Sequence, residues 1–392
     1  MNITAENQAA AAREILTKNI LPFWINKMTD NENGGFYGQI DGNDHLHPTA
    51  NKGAVLNARI LWTFSAAYRL LKDPQYLAAA QRAFDYIVEY FADKKYGGVY
   101  WELDYKGIPV NDKKQMYAQG FALYGFSEFY RATQKTEALE WAKKFFYLIQ
   151  NQRDKKTDGY LEAYTREWQE IADMRLSEKD ENEKKTMNTH LHILEPYTNL
   201  CRIWDSPDLK EAQQQLIHVF ANKILTPSGH LGLFFDENWV SKSDGLSYGH
   251  DIEASWLLLE AAEVLGRSDV LAAVKPLSLK IADAAAEGLQ PDGSMIYETL
   301  GTHTDRDRHW WVQAETVVGF NYAHKTSGNK AYQNKAVQAL QYIANHLVDW
   351  DNGEWHWSCY PNGSINRNDD KAGLWKCPYH NSRMCLELIE NF

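Results

Sequence analysis

Three histidines interrupt otherwise apolar helical segments of the chain. They are His192 in MNTHLHILEPY, His250 in SYGHDIEASW and His380 in LWKCPYHNSR. Histidine has an ordinary pKa close to neutrality, so a group of histidines suits general acid–base catalysis. Glu253 follows His250 by three residues on the same helix face, and we expect its carboxylate to orient that imidazole.

Further polar and aromatic side chains interrupt equivalent segments. One polar residue in an apolar helix is usually a satisfied core residue, whereas several at equivalent helix starts favour a functional cavity. Arginine can stabilise a developing oxyanion, and indole rings can stack on sugar rings. The further candidates are Arg59, Tyr117, Asn188, Trp310, Trp311, Glu315 and Trp375. Trp310 and Trp311 point about 100° apart on a helix, so we expect at most one to face the cavity.

Six glycine-containing turns indicate how these side chains are positioned. The turns lie near Gly34, Gly97, Gly159, Gly229, Gly293 and Gly353, as in YGGVYWELD around Gly97. Their intervals of 63, 62, 70, 64 and 60 residues indicate an internal repeat. Alternating apolar and polar residues after the glycines predict short β-hairpins.

Two helical patterns lie between successive turns. The first is apolar around most of its circumference, as in residues 54–68, and the second is amphipathic, as in residues 76–91. These patterns are typical of a buried inner helix and a surface helix, respectively. Five such pairs, with a sixth made by the chain ends (residues 5–28 and 373–391), predict six inner and six outer helices.

The predicted fold is all-α: an (α/α)6 barrel with short β-hairpins at one rim, built by residues 1–392 as a single catalytic domain. An open helical solenoid is the alternative, and its end repeats should carry polar caps. In the barrel, the starts of all inner helices gather at one rim. Tyr117, His250, Trp311 and Trp375 lie 18 to 22 residues after their repeat glycines, so they should converge there.

The charged run RLSEKDENEKK, residues 175–185, predicts a solvated loop beside this cavity. Its position is compatible with a lid, and we include its Asp180 among the substrate-binding candidates. A metal site built from His192, His250 and His380 is conceivable, but no carboxylate cluster accompanies these histidines in the sequence. We therefore predict no metal and no cofactor.

The overall composition excludes several classes of partner. A net charge of −11 without a basic run argues against nucleic acid, and no apolar stretch approaches the about 20 residues that span a membrane. The first residues lack a basic and apolar leader, and the four cysteines form no CxxC pair, which favours reduced thiols in the cytoplasm. We expect a monomer or weak homodimer.

Five segments carry a resemblance to a known family. KGAVLNARILW, MNTHLHILEPYTNL, SYGHDIEASWLLLEAA, WWVQAE and LWKCPYHNSRMCLE resemble, in this order, motifs of the N-acylglucosamine 2-epimerase superfamily, most closely its cellobiose 2-epimerase branch. The resemblance implies an (α/α)6 barrel that needs no nucleotide or metal. It also implies inversion of C2 in the reducing-end glucose or mannose of β-1,4-linked disaccharides, with cellobiose, lactose (to epilactose) and mannobiose all open as substrates.

Inversion beside a carbonyl requires ring opening, removal of the C2 proton and its return on the other face. We expect His250 and His380 to form the acid–base pair, with His380 also assisting ring opening, through a cis-enediol. His192 and Arg59 would bind O1 and O2, and the guanidinium would stabilise the enediolate. Tyr117, Asn188 and Glu315 would hold hydroxyls, while Trp311 and Trp375 would stack on the sugar rings.

Several alternatives stay open from the residues alone. The chain could act on N-acylglucosamine, or protonate the same enediol at C1 and so act as an aldose–ketose isomerase. A glycoside hydrolase would need two carboxylates across the cleft, for which Glu253 and Glu315 are the candidates. A non-catalytic sugar-binding toroid would need the tryptophans but not several histidines.

Overall fold

A computed structural model describes residues 2–392, which are mainly helical. In chain order the helices are α1 (Gln8–Ile15), α2 (Leu21–Lys27), α3 (Ala54–Leu71), α4 (Pro74–Tyr86), α5 (Met116–Thr133), α6 (Thr136–Asn151), α7 (Met187–Cys201), α8 (Pro207–Val219), α9 (Tyr248–Leu265), α10 (Ser268–Ala285), α11 (Trp310–Ser327), α12 (Lys330–His346) and α13 (Tyr379–Asn391). A π-helical turn, Leu16–Ile20, joins α1 and α2 into one N-terminal helix. Similar turns, Ile87–Phe91 and Phe220–Ile224, extend α4 and α8.

Six of these helices form a closed inner ring. Each contacts the next in the order α3, α5, α7, α9, α11 and α13, and α13 contacts α3 again. Each inner helix also packs against one outer helix: α4, α6, α8, α10 and α12 follow their inner partners, and α1 packs on α13. The predicted (α/α)6 barrel is confirmed, because an open solenoid would leave its first and last repeats apart.

Burial follows the two hydrophobic patterns of the sequence. Every residue of α3 from Ala54 to Ala67 is buried, including Arg59. In α4 and its extension, Tyr76, Phe84 and Phe91 face the core on one side only. A helix that is apolar all round therefore lies in the inner ring, and an amphipathic helix covers it from outside.

Short strands line the rim at which the inner helices begin. They are β1 (Lys52–Gly53), β2 (Glu102–Leu103), β3 (Pro109–Asn111), β4 (Lys114–Gln115), β5 (Ala163–Tyr164), β6 (Lys185–Thr186), β7 (Phe234–Phe235), β8 (Leu246–Ser247), β9 (Glu298–Leu300), β10 (His303–Asp305), β11 (Arg308–His309) and β12 (Ser358–Cys359). The predicted extended segments are thus confirmed. Most pair antiparallel with the neighbouring connection, as β1–β2, β4–β5, β6–β7, β8–β9 and β11–β12, whereas β2–β3 and β9–β10 pair within one connection.

The repeat glycines form the tight turns that precede these strands. All six have a positive φ, from +77° at Gly97 to +101° at Gly229, a region that glycine enters without steric cost. An isolated bridge closes each turn, as Ala92–Val99 does around Gly97. The glycines therefore recur at regular intervals because each turn around the barrel requires the same positive φ.

Buried polar contacts fasten these turns to the inner helices. In four repeats, a buried lysine just before the inner helix or its lead-in bonds an aspartate at the start of the turn: Lys52–Asp30 (2.8 Å), Lys114–Asp93 (3.0 Å), Lys185–Asp154 (2.8 Å) and Lys371–Asp349 (2.5 Å). Gln119 of α5 accepts a hydrogen bond from the Val99 backbone N–H at 2.8 Å, and Gln313 of α11 does so from Met295 at 2.8 Å. The rim is thereby held at a fixed position on the barrel.

Two further predictions concern cysteines and membranes. Cys201, Cys359, Cys377 and Cys385 are all free thiols. Within residues 2–392, no helix combines the length and apolar character needed to cross a bilayer. The cytoplasmic location and the assembly state stay predictions.

Candidate active site

A cavity of about 500 Å³ opens at the rim where the inner helices begin. This volume is typical of a small-molecule site. Every predicted site residue except Glu315 lines it: Arg59, Tyr117, Asp180, Asn188, His192, His250, Glu253, Trp310, Trp311, Trp375 and His380. Closure of the inner ring brings these side chains together from distant parts of the chain.

His380, in the first turn of α13, is held by a carboxylate. Its Nδ1 lies 2.7 Å from Oε1 of Glu315. Glu315 was predicted to hold a substrate hydroxyl, but the structure places it behind His380, where it also accepts a hydrogen bond from Trp256 Nε1 at 3.0 Å. A carboxylate accepts a hydrogen bond from Nδ1–H, and this leaves Nε2 as the basic nitrogen of the neutral ring. Burial lowers the pKa of His380 well below its ordinary value, and the nearby positive Arg59 and Arg383 lower it further.

His250, in the first turn of α9, has a neutral partner. Its Nδ1 lies 2.7 Å from Oγ of Ser247. The predicted contact with Glu253 is corrected, because the Glu253 carboxylate turns towards the buried guanidinium of Arg383 at 2.6 Å. Burial lowers the pKa of His250 to about 3, so the free ring is neutral at pH 7.

Arg383 is a central residue that the sequence analysis missed. Its Nη2 donates to Oε1 of Glu253 at 2.6 Å and to Oε1 of Glu315 at 2.7 Å, and its Nη1 donates to Glu195 and to the Tyr379 hydroxyl. One nitrogen bonds both Glu253 and Glu315, so these carboxylates do not face each other across a sugar as a hydrolase pair would. The position of Arg383 three residues after His380 was the available signal.

His192 connects this charged network with the cavity. Its Nδ1 lies 3.2 Å from Oε2 of Glu195, and its Nε2 lies 4.0 Å from Oε2 of Glu253. Burial lowers the pKa of His192 to about 4. Burial opposes ionisation of Glu195 as well, but the Arg383 guanidinium outweighs it and the pKa of Glu195 is lowered.

Glu253 differs from Glu195 in the direction in which its pKa is shifted. Burial raises its pKa well above the ordinary value, and the negative charge of Glu315 raises it further. Its Oε2 has no hydrogen-bond partner although it is buried beside the cavity. This buried oxygen without a partner is available to bond a ligand hydroxyl in the cavity.

Arg59 places a positive charge in the wall of the cavity. Its Nη2 donates to the Tyr117 hydroxyl at 2.7 Å, and its guanidinium lies 4.2 Å from the ring centre of Phe121. Nε of Arg59 has no hydrogen-bond partner. A buried guanidinium with a free donor is suited to stabilising negative charge on a ligand.

The tryptophans form aromatic surfaces beside the histidines. The Trp311 ring lies 4.8 Å from His250 and 5.6 Å from His380, measured between ring centres. Trp310 also borders the cavity, with its ring 5.5 Å from His380, which corrects the expectation that at most one of the pair would do so. The indole is wide enough to reach the cavity edge although Trp310 is almost fully buried. Trp375 is half-buried and contacts the Tyr117 ring at 5.9 Å.

The charged loop 175–185 lies against the cavity. Asp180 lines the cavity, but its Oδ2 accepts hydrogen bonds from the backbone N–H (2.9 Å) and Oγ (2.8 Å) of Ser177, so it also shapes the loop. A second cavity of about 180 Å³ lies beside it and shares Asn188 and His250 with the first. Tyr297 and His309, which stack at 4.0 Å on the same cavity wall, were not predicted because they lie in the irregular connection before α11.

Two groups of side chains have donor atoms within 4.8 Å of one another, a spacing that suits a metal ion: Glu253, Glu315 and His380, and Asp305, Asp307 and His309. In the first group, Arg383 already places its positive charge on both carboxylates. The second group is only half-buried. The predicted absence of a metal and of a cofactor stays a prediction.

The barrel and the histidine-containing cavity define a class of sugar-converting proteins. Residues 35–383 match the family model described as N-acylglucosamine 2-epimerase (GlcNAc 2-epimerase), and the chain belongs to this family.

Individual relatives are similar over nearly the full chain. The chain is 56% identical to a cellobiose 2-epimerase of Bacteroides fragilis, covering 95% of this chain and 96% of the relative, and 38% identical to one of Dictyoglomus turgidum, covering 96% and 97%. The solved structure of cellobiose 2-epimerase from Bacillus thermoamylovorans B4167 superposes with a TM-score of 0.95 at 41% identity, covering 99% of this chain and all of that one. The predicted family and class of enzyme, a sugar epimerase, are confirmed.

Proposed function

We propose that this chain inverts C2 of the reducing-end glucose or mannose unit of β-1,4-linked disaccharides, converting cellobiose to glucosyl-mannose. The observation that carries the proposal is that two imidazoles, His250 and His380, border one cavity and lie beside the same indole, Trp311. The curated relatives named cellobiose 2-epimerase support this choice of substrate. Lactose and mannobiose are the further substrates to compare.

Reaction begins when the sugar ring opens and exposes the C1 aldehyde, a step that His380 assists. One imidazole then removes the C2 proton through Nε2, because burial keeps the free rings neutral and able to accept it. The electron pair moves from C2 into the carbonyl and gives a cis-enediolate. The second imidazole takes up a proton from water at Nε2 and delivers it to the opposite face of C2. The enediolate electrons form the new C2–H bond as the carbonyl returns, and the first imidazolium releases the original C2 proton to water.

The remaining residues stabilise and hold the sugar. Arg59 and His192 bind O1 and O2, where the enediolate charge develops. Tyr117 and Asn188 hold hydroxyl groups, and the buried Oδ1 of Asn188, which has no partner, supports that role. Trp375 supplies a half-buried indole for the second sugar ring.

We also propose that residues 1–392 act as one catalytic domain, in a monomer or weak homodimer. Contact between α13 and α3 supports a single domain, because the two ends of the chain complete one ring. Sedimentation velocity at several protein concentrations tests the assembly state.

Incubation with cellobiose in deuterium oxide tests the reaction. We expect glucosyl-mannose to form, with deuterium at C2 of both epimers, detected by NMR. Epimer without deuterium would contradict proton abstraction, and free monosaccharide would indicate a hydrolase. Parallel incubations with lactose, mannobiose and N-acetylglucosamine rank the substrates, and a ketose product would show protonation of the enediol at C1.

A further inference from the structure

Ser247 occupies the N-cap position of α9 but does not cap the helix. Its backbone is extended, with φ −115° and ψ 98°, as at an ordinary N-cap, yet its side chain accepts no hydrogen bond from the first turn. Serine at this position usually accepts a bond from a free backbone N–H. Ser206 of α8 and Thr186 of α7 do so in this chain.

The Ser247 hydroxyl is directed to the catalytic histidine instead. Its Oγ lies 2.7 Å from Nδ1 of His250, and Ser247 is only 2% exposed. No other hydrogen bond to the His250 ring is found within residues 2–392. Ser247 thus fixes the direction in which a buried ring points, while its own capping position is left unused.

We infer that Ser247 is a positioning residue that holds His250 as the Nδ1–H tautomer, with Nε2 aimed at C2 of the substrate. This inference rests on the proposed function. When His250 acts as the acid, its Nε2–H bond breaks, a C2–H bond forms, and the imidazolium becomes neutral imidazole with its proton on Nδ1. In the reverse direction, Nε2 takes the C2 proton and the C2 electron pair moves into the carbonyl. Ser247 Oγ accepts a hydrogen bond from Nδ1–H in both states.

The hydroxyl is a different partner from the carboxylate behind His380. Glu315 carries negative charge and strengthens the imidazolium form of its histidine. Ser247 supplies direction without charge. The two faces of C2 are therefore served by two imidazoles with different hydrogen-bond partners, one charged and one neutral.

Kinetics of paired variants test the inference. We expect Ser247→Ala to lower kcat for cellobiose about 10-fold with little change in KM, and Ser247→Thr, which keeps a hydroxyl, to restore most of the activity. Ser206→Ala is the matched control: it removes a real cap, so it should lower Tm and leave kcat unchanged. Unaltered kcat in Ser247→Ala, or a Thr variant no better than Ala, would overturn the inference.

Nitrogen NMR gives a readout that does not depend on turnover. In protein labelled with ¹⁵N-histidine, the His250 signals are assigned by comparison with His250→Gln. We expect the wild-type ring to be protonated on Nδ1, and Ser247→Ala to give a mixture of tautomers. A wild-type ring protonated on Nε2 would refute the assigned role. If wild-type protein does not epimerise cellobiose, the proposed function fails, and the NMR result still decides whether Ser247 sets the tautomer.

Discussion

The two imidazoles that we propose as the acid–base pair border the same cavity but belong to different electrostatic environments. His380 of α13 bonds Glu315, which in turn bonds Arg383, so that ring is connected to a buried network of charges. His250 of α9 bonds only the neutral hydroxyl of Ser247. The α13 wall thus combines acid–base chemistry with charge stabilisation, whereas the α9 wall supplies orientation.

This difference bears on the proposed reaction, in which one imidazole serves each face of C2. The carboxylate behind His380 is also bonded to Arg383, whose positive charge lowers the pKa of His380, whereas the partner of His250 is a neutral hydroxyl. Glu315 lies behind His380, whereas Glu253 lines the cavity. Specific variants should separate the contribution of charge from that of orientation.

Loss of either imidazole should have the largest effect. We expect His380→Gln and His250→Gln each to lower kcat by about 1,000-fold, because each removes a proton-transfer group that nothing else replaces. The measurement is the initial rate of epimer formation from cellobiose. His190→Gln is the control, since His190 lies on α7 but accepts the Tyr160 backbone N–H at 2.9 Å, away from the cavity. A variant that keeps a tenth of the activity would remove that histidine from the mechanism.

Neutralising the carboxylate behind His380, that of Glu315 on α11, should have the next largest effect. We expect Glu315→Gln to lower kcat about 100-fold, because His380 loses a charge-assisted hydrogen bond. It should also lower Tm, since Arg383 loses one of its buried anionic partners. Ser247→Ala should lower kcat less and leave Tm almost unchanged. Equal losses from the two variants would show that charge does not distinguish the walls.

As the pH is lowered, the protein should unfold before His250 and His190 become protonated in the folded state. Burial lowers the pKa of His250 to about 3 and that of His190 to about 3 from an ordinary 6.5. Below pH 6.5 the unfolded chain binds protons that the native protein does not, so stability falls as pH decreases towards 3 and is unaffected by these groups above pH 7. Tm measured from pH 7 to pH 4 should therefore decline, and less steeply in His190→Gln. An acid limb of kcat/KM near pH 6.5 in fully folded enzyme would contradict these low values.

The loop beside the α9 wall should have the smallest effect. We expect Asp180→Ala to raise KM about 3- to 10-fold with a smaller change in kcat, because Asp180 shapes the loop through Ser177 rather than touching a histidine. Glu183→Ala, on the same loop but not lining the main cavity, is the matched control. A larger loss in kcat than in KM would indicate that the loop takes part in the chemistry.

Local patterns in the chain were sufficient to predict the architecture. The glycine period arises because each turn needs a positive φ, and the apolar and amphipathic helices differ because one is buried all round. The same patterns predicted that the residues at the inner-helix starts would share one cavity, and the structure brings all but one of them to it. Family motifs added the expected chemistry and substrate class.

The hydrogen-bond partners of the side chains around the cavity could not be predicted from local sequence patterns. Glu253 was expected to orient His250 because helix spacing puts them on one face, yet Arg383, which follows them by more than 100 residues, attracts the Glu253 carboxylate. Glu315 was expected to touch substrate, yet it is covered by His380 from another helix. Each outcome depends on contacts between helices.

The sequence by itself therefore determined the barrel, the rim and the set of cavity residues, because these follow from periodic burial and backbone conformation along the chain. Only the tertiary structure decided which side chain from another helix each buried carboxylate and guanidinium faces. Those contacts depend on competition among buried charges that closure of the helical barrel brings within hydrogen-bond distance. The spacing of residues along one helix does not determine the outcome of that competition.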